Sequence, residues 1–341
     1  MKKRIHSLAL AGLLSMAGVA LAANAPHDFP NWRDGAPTPK ALAAYVNDIT
    51  NAKSAHFVPV KDRIAVFDMD GTLLSETTPS YFDWTSWVYD NAENPPENTP
   101  EAIKQYAKDA KASIEAGNGM PRFTLGETLP AWAQTYAGTS LADFDAKANQ
   151  AAERLTTKGI RFKDSFFKPM LDVVKYLQKH HFTVYVVTGS DAQLVRNLIR
   201  DRIDIAPSQV IGSEVDVEVA HQSIDETRGA HYDLRLTDTL VRGGQIRQNL
   251  HFNKVVQMVQ KIGARPVLSF GNSSGDYSMN VYTQQSPYPT KVFMLLCDDM
   301  ERAACPKRDL EKAKVHYAEA QWNAISIKDE FKTVYLVEPK P

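Results

Sequence analysis

Short apolar runs alternate with helical periodicities along this chain, and one long stretch without strand character interrupts them. The first run, Ile64-Ala65-Val66-Phe67, is unbroken in its apolar character and predicts a buried strand. Residues 182–187, 266–270 and 291–296 read the same way, and 209–219 reads as a longer extended segment. Between them the period changes. Met170, Val173, Val174 and Leu177 lie at helical spacing and predict a helix over 168–180, and further helices are predicted over 41–50, 191–202 and 253–262. Residues 333–337 predict an extra edge strand. Residues 220–250 are polar and turn-rich, with Arg242-Gly243-Gly244 predicted to turn a hairpin. Strands that alternate with helices predict an α/β fold, a doubly wound and mostly parallel sheet with helices on both faces.

The interruption runs from Leu73 to about Lys163. Thr99-Pro100-Glu101 is a helix start, with proline in the first turn, and Ser140-Leu141-Ala142-Asp143 starts another that is predicted to run to about residue 157. This is an inserted α-helical domain over 74–165. It divides a core whose first part is 23–73 and whose second part is 166–341. Pro26, Pro30, Pro37 and Pro39 make residues 23–40 an irregular arm.

The first 22 residues stand apart from this pattern. Lys2, Lys3 and Arg4 precede an apolar stretch from about Leu8 to Leu21, and Ala20-Leu21-Ala22 is a small-residue cleavage signal. The stretch is short for a membrane span. A signal peptide over 1–22 is expected, and with it a periplasmic or secreted protein with no stable membrane anchor after cleavage. Removal takes three basic residues and no acid from a chain whose net charge is already −1. An acidic protein is a poor nucleic-acid partner. Export also changes the meaning of the two cysteines, Cys297 and Cys305: in an oxidising compartment they are expected to close a short disulfide loop.

Candidate chemistry sits where the predicted strands stop. Asp68 and Asp70 follow the first strand in Asp68-Met69-Asp70-Gly71-Thr72; Thr188-Gly189 follow the second; Gly271-Asn272-Ser273-Ser274-Gly275-Asp276 follow the 266–270 strand. Lys254 begins the helix leading into the last of these. Ligands of open parallel sheets bind beyond these strand ends. Paired carboxylates call for a cation, and oxygen ligands suit magnesium. A carboxylate nucleophile, a hydroxyl, an ammonium and a metal-binding acid suit phosphoryl transfer, which depends on positioning and charge neutralisation.

In their order, these residues resemble the four motifs of the haloacid dehalogenase (HAD) superfamily, and the helical insertion resembles its C1 cap. The chain looks most like the phosphoserine-phosphatase-like branch and is similar to bacterial periplasmic phosphorylcholine phosphatases. The resemblance implies roles. Asp68 attacks phosphorus to form an aspartyl-phosphate, and Asp70 acts as acid and then base. Thr188, Gly189 and Lys254 hold phosphoryl oxygens. Asp68, Asp70, Asn272 and Asp276 hold Mg2+. The fourth motif of the family usually begins Gly-Asp, whereas this chain has Gly271-Asn272, a neutral oxygen in place of a charge.

The insertion opens with Tyr81, Phe82, Trp84, Trp87 and Tyr89, with Glu76 and Asp83 among them. Two readings stay open. Helically spaced aromatics usually pack as core, and an aromatic box with an acid suits a quaternary ammonium. The second reading takes Glu76, Tyr81, Trp84 and Trp87 as substrate contacts. Residues 74–90 contain no Lys or Arg to bind a substrate carboxylate, although Arg122 lies further on. Phosphorylcholine or phosphorylethanolamine therefore ranks above phosphoserine as the small phosphomonoester. A phosphotransferase, and a non-catalytic binding protein on the same scaffold, are the alternatives. The nine histidines show no metal-binding spacing.

Overall fold

The computed structural model describes residues 28–75, 81–97, 99–118, 120–121, 131–156, 158–221, 232–303, 305 and 309–337. The expected signal peptide, Glu76 and Arg122 lie outside the described residues. Seven strands form one sheet: β1 (Ile64–Phe67), β2 (Thr183–Asp191), β3 (Val210–Val219), β4 (Leu240–Arg247), β5 (Leu268–Gly271), β6 (Lys291–Leu296) and β7 (Asn323–Ser326). Their order is β4-β3-β2-β1-β5-β6-β7, and only the β3–β4 pair is antiparallel. The chain therefore winds outward from β1 in one direction and then returns to build β5 on the other side. The switch point falls beside β1, where doubly wound sheets place their ligands.

The helices are α1 (Pro37–Thr50), α2 (Phe82–Glu93), α3 (Glu101–Glu115), α4 (Leu141–Ala152), α5 (Lys168–Lys179), α6 (Ala192–Ile199), α7 (Phe252–Lys261), α8 (Tyr277–Gln284), α9 (Leu310–Glu319) and α10 (Ile327–Glu330). Alternation along β1 divides the core between the two faces of the sheet. Ile64 and Val66 pack with Met258 of α7 and Met279 of α8. Ala65 and Phe67 join the larger cluster that includes Leu42 of α1 and Val173 of α5. Being covered on both faces, β1 is buried throughout and has no polar alternation to show.

The helical insertion leaves and rejoins the core through adjacent chain segments. Ser75 N–H donates to Ser165 O (3.0 Å) and Phe167 N–H to Leu73 O (2.8 Å). A second tether runs through β4, where Ser140 and Val241 form an antiparallel bridge. This overturns the expectation of a turn at Arg242-Gly243-Gly244, which lies inside β4. The glycine at 243 answers to crowding: a Cβ there would come within 2.8 Å of Glu218 Oε1.

Other boundaries also moved. β2 continues through Thr188 and Gly189 to Asp191 instead of ending at 187. Helix α4 stops at Ala152, because the chain beyond it doubles back with Thr156 N–H donating to Ile160 O (2.7 Å). Residues 333–337 are not a strand. Val334 and Tyr335 are buried against the start of α5, where Lys168 N–H donates to Val334 O (2.9 Å), and the edge strand is β7. The irregular arm ends earlier than expected, since Pro37 and Pro39 occupy the first turn of α1. The Cys297–Cys305 disulfide is present, closing the loop after β6. Among the described residues no helix is long and apolar enough to cross a membrane.

Candidate active site

The three strands that carry the predicted motifs, β2, β1 and β5, are neighbours at the centre of the sheet. Asp68 is the first residue past β1, and its N–H donates to Phe270 O of β5 (2.9 Å). The chain then turns tightly: Leu73 and Leu74 N–H both donate to Met69 O, and Gly71 N–H donates to Leu74 O (2.6 Å). That turn returns Asp70 to the strand ends. Beneath it Phe67, Phe270 and Phe293 stack in register across β1, β5 and β6, with centroids 4.3 and 5.1 Å apart. All three rings are fully buried.

Lys254 joins two of the acids. Its Nζ donates to Asp68 Oδ1 and to Asp276 Oδ1, each at 2.7 Å, and all three side chains are buried. It lies in the first turn of α7, which is anchored by buried Met258 against the sheet. Asp276 turns its other oxygen to the backbone, accepting from Asn272 N–H (3.0 Å) and Ser273 N–H (3.1 Å). The loop after β5 is thereby folded around Asp276. Asp70 Oδ2 accepts from Ser190 Oγ (2.7 Å) and lies 3.5 Å from the donating hydroxyl of Thr188. Thr72 Oγ1 donates to Asp68 Oδ2 at 3.4 Å.

Burial pushes the Asp68 carboxyl up to about 8; the Asp276 charge adds to this, Lys254 opposes it and Asp70 adds further. Burial draws the Lys254 ammonium down, but Asp276 and Asp68 more than reverse this and leave it above its ordinary range. Two carboxylates share one ammonium and a third, Asp70, stands beside them, so the cluster is short of positive charge. A divalent cation with a preference for oxygen corrects that deficit. Among the described residues no group of three or more His, Cys, Asp or Glu side chains is arranged to hold a metal ion. Magnesium does not require one, since it commonly takes one or two carboxylates and keeps water and substrate phosphate as its other ligands. The oxygen donors expected for such an ion are Asp68, Asp276, the Asp70 carbonyl and Asn272; of these Asp276 already gives Oδ1 to Lys254 and Oδ2 to the Asn272 and Ser273 N–H groups.

The predicted substrate contacts separate. Trp87 is fully buried, with Nε1–H donating to Thr135 Oγ1 (3.0 Å), and Phe82 is buried against Phe162. Tyr89 is already flanked by cations, with Lys111 and Arg154 lying 5.5 and 4.9 Å from its ring. Trp84 is half-buried and meets Trp87 and Trp132 edge-on, while Tyr81 is exposed. Asp83, in the first turn of α2, reaches the core. It hydrogen-bonds Ser190, and burial raises its carboxyl to about 6, with the Asp191 charge contributing.

Sequence reasoning did not single out Ser190, although it directly follows Thr188-Gly189 and holds Asp70. It also missed Asp191, which caps α6 through Gln193 N–H (3.0 Å) and Leu194 N–H (3.1 Å) and pairs with buried Arg242 at 2.5 Å. The Arg242 guanidinium lies 3.7 Å from the Phe144 ring of α4, so this pair fastens the insertion to the core. A groove of about 670 Å³ runs beside α6, lined by Asp145, Gln193, Arg196 and Arg247 among others; neither Asp68 nor Asp70 lines it.

The family model for haloacid dehalogenase-like hydrolases matches residues 65–280, a span from β1 into α8 that includes every predicted motif. Among solved structures, a functionally unknown protein from Anaerococcus prevotii is 11% identical with TM-score 0.51, covering 85% of this chain and 91% of its own. A cytosolic 5'-nucleotidase IIIB bound to cytidine is 12% identical with TM-score 0.47, covering 88% and 90%. A substrate-bound phosphoserine phosphatase is 13% identical with TM-score 0.35, covering 75% and 98%. Likeness at these identities is likeness of fold. No curated protein matches the chain.

Proposed function

The chain belongs to the haloacid dehalogenase-like hydrolases, and we propose that it is an exported, magnesium-dependent phosphomonoesterase working through an aspartyl-phosphate. The single observation that supports this best is Lys254 clasping Asp68 and Asp276 at the centre of the sheet, with Asp70 held alongside by Ser190. The Asp68 carboxylate attacks phosphorus, and the bond from phosphorus to the leaving oxygen breaks. Asp70 gives that oxygen its proton. Lys254 and the Thr188–Gly189 strand end hold the phosphoryl oxygens as charge develops on them. In the second step Asp70 takes a proton from the water that attacks phosphorus; the Asp68–phosphorus bond breaks and inorganic phosphate leaves. Asp68, the Asp70 carbonyl, Asn272 and Asp276 would hold magnesium, which would supply charge neutralisation and favour the ionised nucleophile.

The substrate in this reading is a small phosphomonoester with a cationic leaving group, phosphorylcholine or phosphorylethanolamine. Asp83 supports it, because this insertion acid meets Ser190, which in turn holds Asp70, with Trp84 next to it in sequence. Export to the periplasm or beyond is supported by the N-terminal pattern and by the disulfide.

The test is hydrolysis of a panel of phosphomonoesters by the mature protein, with and without magnesium. Asp68→Asn is expected to lose about 10^4-fold or more in kcat while keeping the wild-type circular dichroism spectrum. Asn272→Asp is expected to lower the magnesium concentration for half-maximal rate, because it adds a charge to the donor set. A folded Asp68→Asn variant with wild-type turnover sinks the mechanism. Identical metal titrations for the wild type and Asn272→Asp remove residue 272 from the ligands.

A further inference from the structure

The strand that carries Thr188 and Gly189 is out of register with its neighbour. Val187 faces Ile211, yet Asp191 faces Ser213, so the intervening residues of β2 bulge away from the regular ladder. A bulge removes backbone groups from their strand partners. Here two side chains replace those partners. Asn249 Nδ2 donates to Thr188 O (2.9 Å) and to Ile211 O (3.0 Å), bridging β2 and β3. Ser213 Oγ donates to Gly189 O (2.6 Å) and accepts from Asn249 N–H (3.0 Å). Asn249 and Ser213 are both buried.

The carbonyls of residues 188 and 189 are therefore pinned from one side. A trans peptide sets its N–H opposite its C=O. Pinning Thr188 O thus directs Gly189 N–H away from Asn249, and pinning Gly189 O likewise directs Ser190 N–H, which reaches Thr188 Oγ1 (3.1 Å). The chain presses closely here: a Cβ on residue 189 would lie 2.2 Å from Leu250 Cδ2. Directly after Leu250, His251 takes a positive φ of 52° and α7 begins, bringing Lys254 to Asp68. One short segment, 249–254, thus orients the Thr188–Gly189 peptide and delivers the ammonium.

We propose that Asn249, acting with Ser213, is a positioning residue for phosphoryl binding, setting the direction of the Gly189 N–H and the Thr188 hydroxyl without touching substrate. This rests on the phosphatase reading of the same site. Small displacements of such donors cost up to about 100-fold.

The experiment measures inhibition constants for inorganic phosphate and orthovanadate, with kcat and KM for p-nitrophenyl phosphate, in wild type, Asn249→Ala, Ser213→Ala and Ser213→Thr. Melting curves identify which variants are folded at the assay temperature. Both alanine variants are expected to bind the two anions about 10–100-fold more weakly. The threonine variant, which keeps the hydroxyl, is expected to return toward wild type. Lost packing alone lowers the melting temperature and leaves the inhibition constants of the folded fraction in place. Should Asn249→Ala fail to fold, the Ser213→Ala and Ser213→Thr pair decides. Unchanged anion binding in folded variants of an active wild type overturns the positioning role and leaves the phosphatase reading standing. A wild-type protein that neither hydrolyses the ester nor binds phosphate overturns both.

Discussion

The centre of the sheet and the helical insertion bury their functional candidates equally well, and for opposite reasons. At the sheet centre the buried groups are charged: Asp68, Asp70, Lys254 and Asp276 are all under 8% exposed. Burial of the Asp68 carboxylate carries a cost that its pairing with Lys254 only partly offsets. In the insertion the buried groups are rings. Trp87, Trp132, Tyr136 and Phe144 form a chain of aromatic contacts with Trp84, including Trp84–Trp132, Trp132–Tyr136 and Tyr136–Phe144 edges at 6.0, 5.1 and 5.1 Å. Such rings stabilise by burial and by edge-to-face geometry. Burial by itself therefore does not mark a functional residue. Several charges buried together at strand ends are a stronger sign, and in the proposed reading the sheet centre carries the chemistry while most insertion aromatics pack. What the insertion turns toward the core is Asp83, beside half-buried Trp84.

The largest test of this contrast removes the shared cation. Lys254→Met leaves the Asp68 and Asp276 carboxylates buried with no counter-charge between them. It is expected to reduce kcat/KM by about 10^3-fold or more. It is also expected to destabilise by about 3–5 kcal/mol, with part of that stability recovered on adding magnesium. Thermal melts with and without the metal, alongside kinetics, measure all three. A variant with wild-type melting and turnover would show that the central charges are not what organises the site.

Next in size is the separation of the two tryptophans. Trp87→Ala is expected to cost about 3–5 kcal/mol of stability, because it empties a fully buried ring site. The kcat/KM of the folded fraction should stay near wild type for every ester tested. Trp84→Ala should behave the other way. Its stability cost is smaller, and KM for phosphorylcholine should rise about 2- to 30-fold relative to p-nitrophenyl phosphate, the range that one aromatic face gives a cation. If Trp84→Ala affects both esters alike, the ring packs the insertion and does not select substrate.

How much of this was legible in the sequence follows the same division. The centre of the sheet could be read because strand ends and carboxylate spacing are local. Asp68 and Asp70 sit where a short apolar run stops, and β6 was bounded to the residue. Lys254 could be placed because the start of a helix is a local pattern too. The cysteine pair followed from compartment and spacing. Contacts between distant segments left no such trace. Asn249 serves residues 188 and 211, and nothing in its neighbourhood announces that. Arg242-Gly243-Gly244 has turn composition, but its backbone is claimed by β3 and by residues 138–139, so it forms a strand. Residues 333–337 have strand composition, yet their hydrogen bond goes to α5, while Asn323–Ser326, with little apolar character, fills the edge. Which of Tyr81, Trp84 and Trp87 face a substrate depends on the insertion's own tertiary packing, which periodicity does not contain.

The smallest expected effect has an unusual sign, and it joins the two regions. Asp83 lies in the first turn of α2, where an acid ordinarily gains from the helix dipole by roughly 0.3–1 kcal/mol. Its carboxyl is nevertheless raised to about 6. Burial is the main cause, and the Asp191 charge adds to it, against a hydrogen bond from Trp84 N–H (2.8 Å) and the contact with the Ser190 hydroxyl. Ser190 also carries the Asp70 contact, and the buried Arg242 guanidinium is paired with Asp191. A carboxyl whose folded pKa is raised binds its proton more tightly when folded. Its contribution to stability is fully present below the ordinary carboxylate range and is lost as pH rises through about 6. Replacing it by a neutral isostere should therefore stabilise the protein at pH 7.5 and do little at pH 4.5. Asp83→Asn is expected to raise the melting temperature by about 2–3 °C at the higher pH only. In the same variant KM for phosphorylcholine should rise, because the charge that meets the cationic group is gone. A fall in melting temperature of equal size at both pH values would mean that Asp83 is an ordinary ionised helix-start acid. Its charge would then serve the start of α2, and the pH-dependent link between the insertion and the sheet centre would be lost.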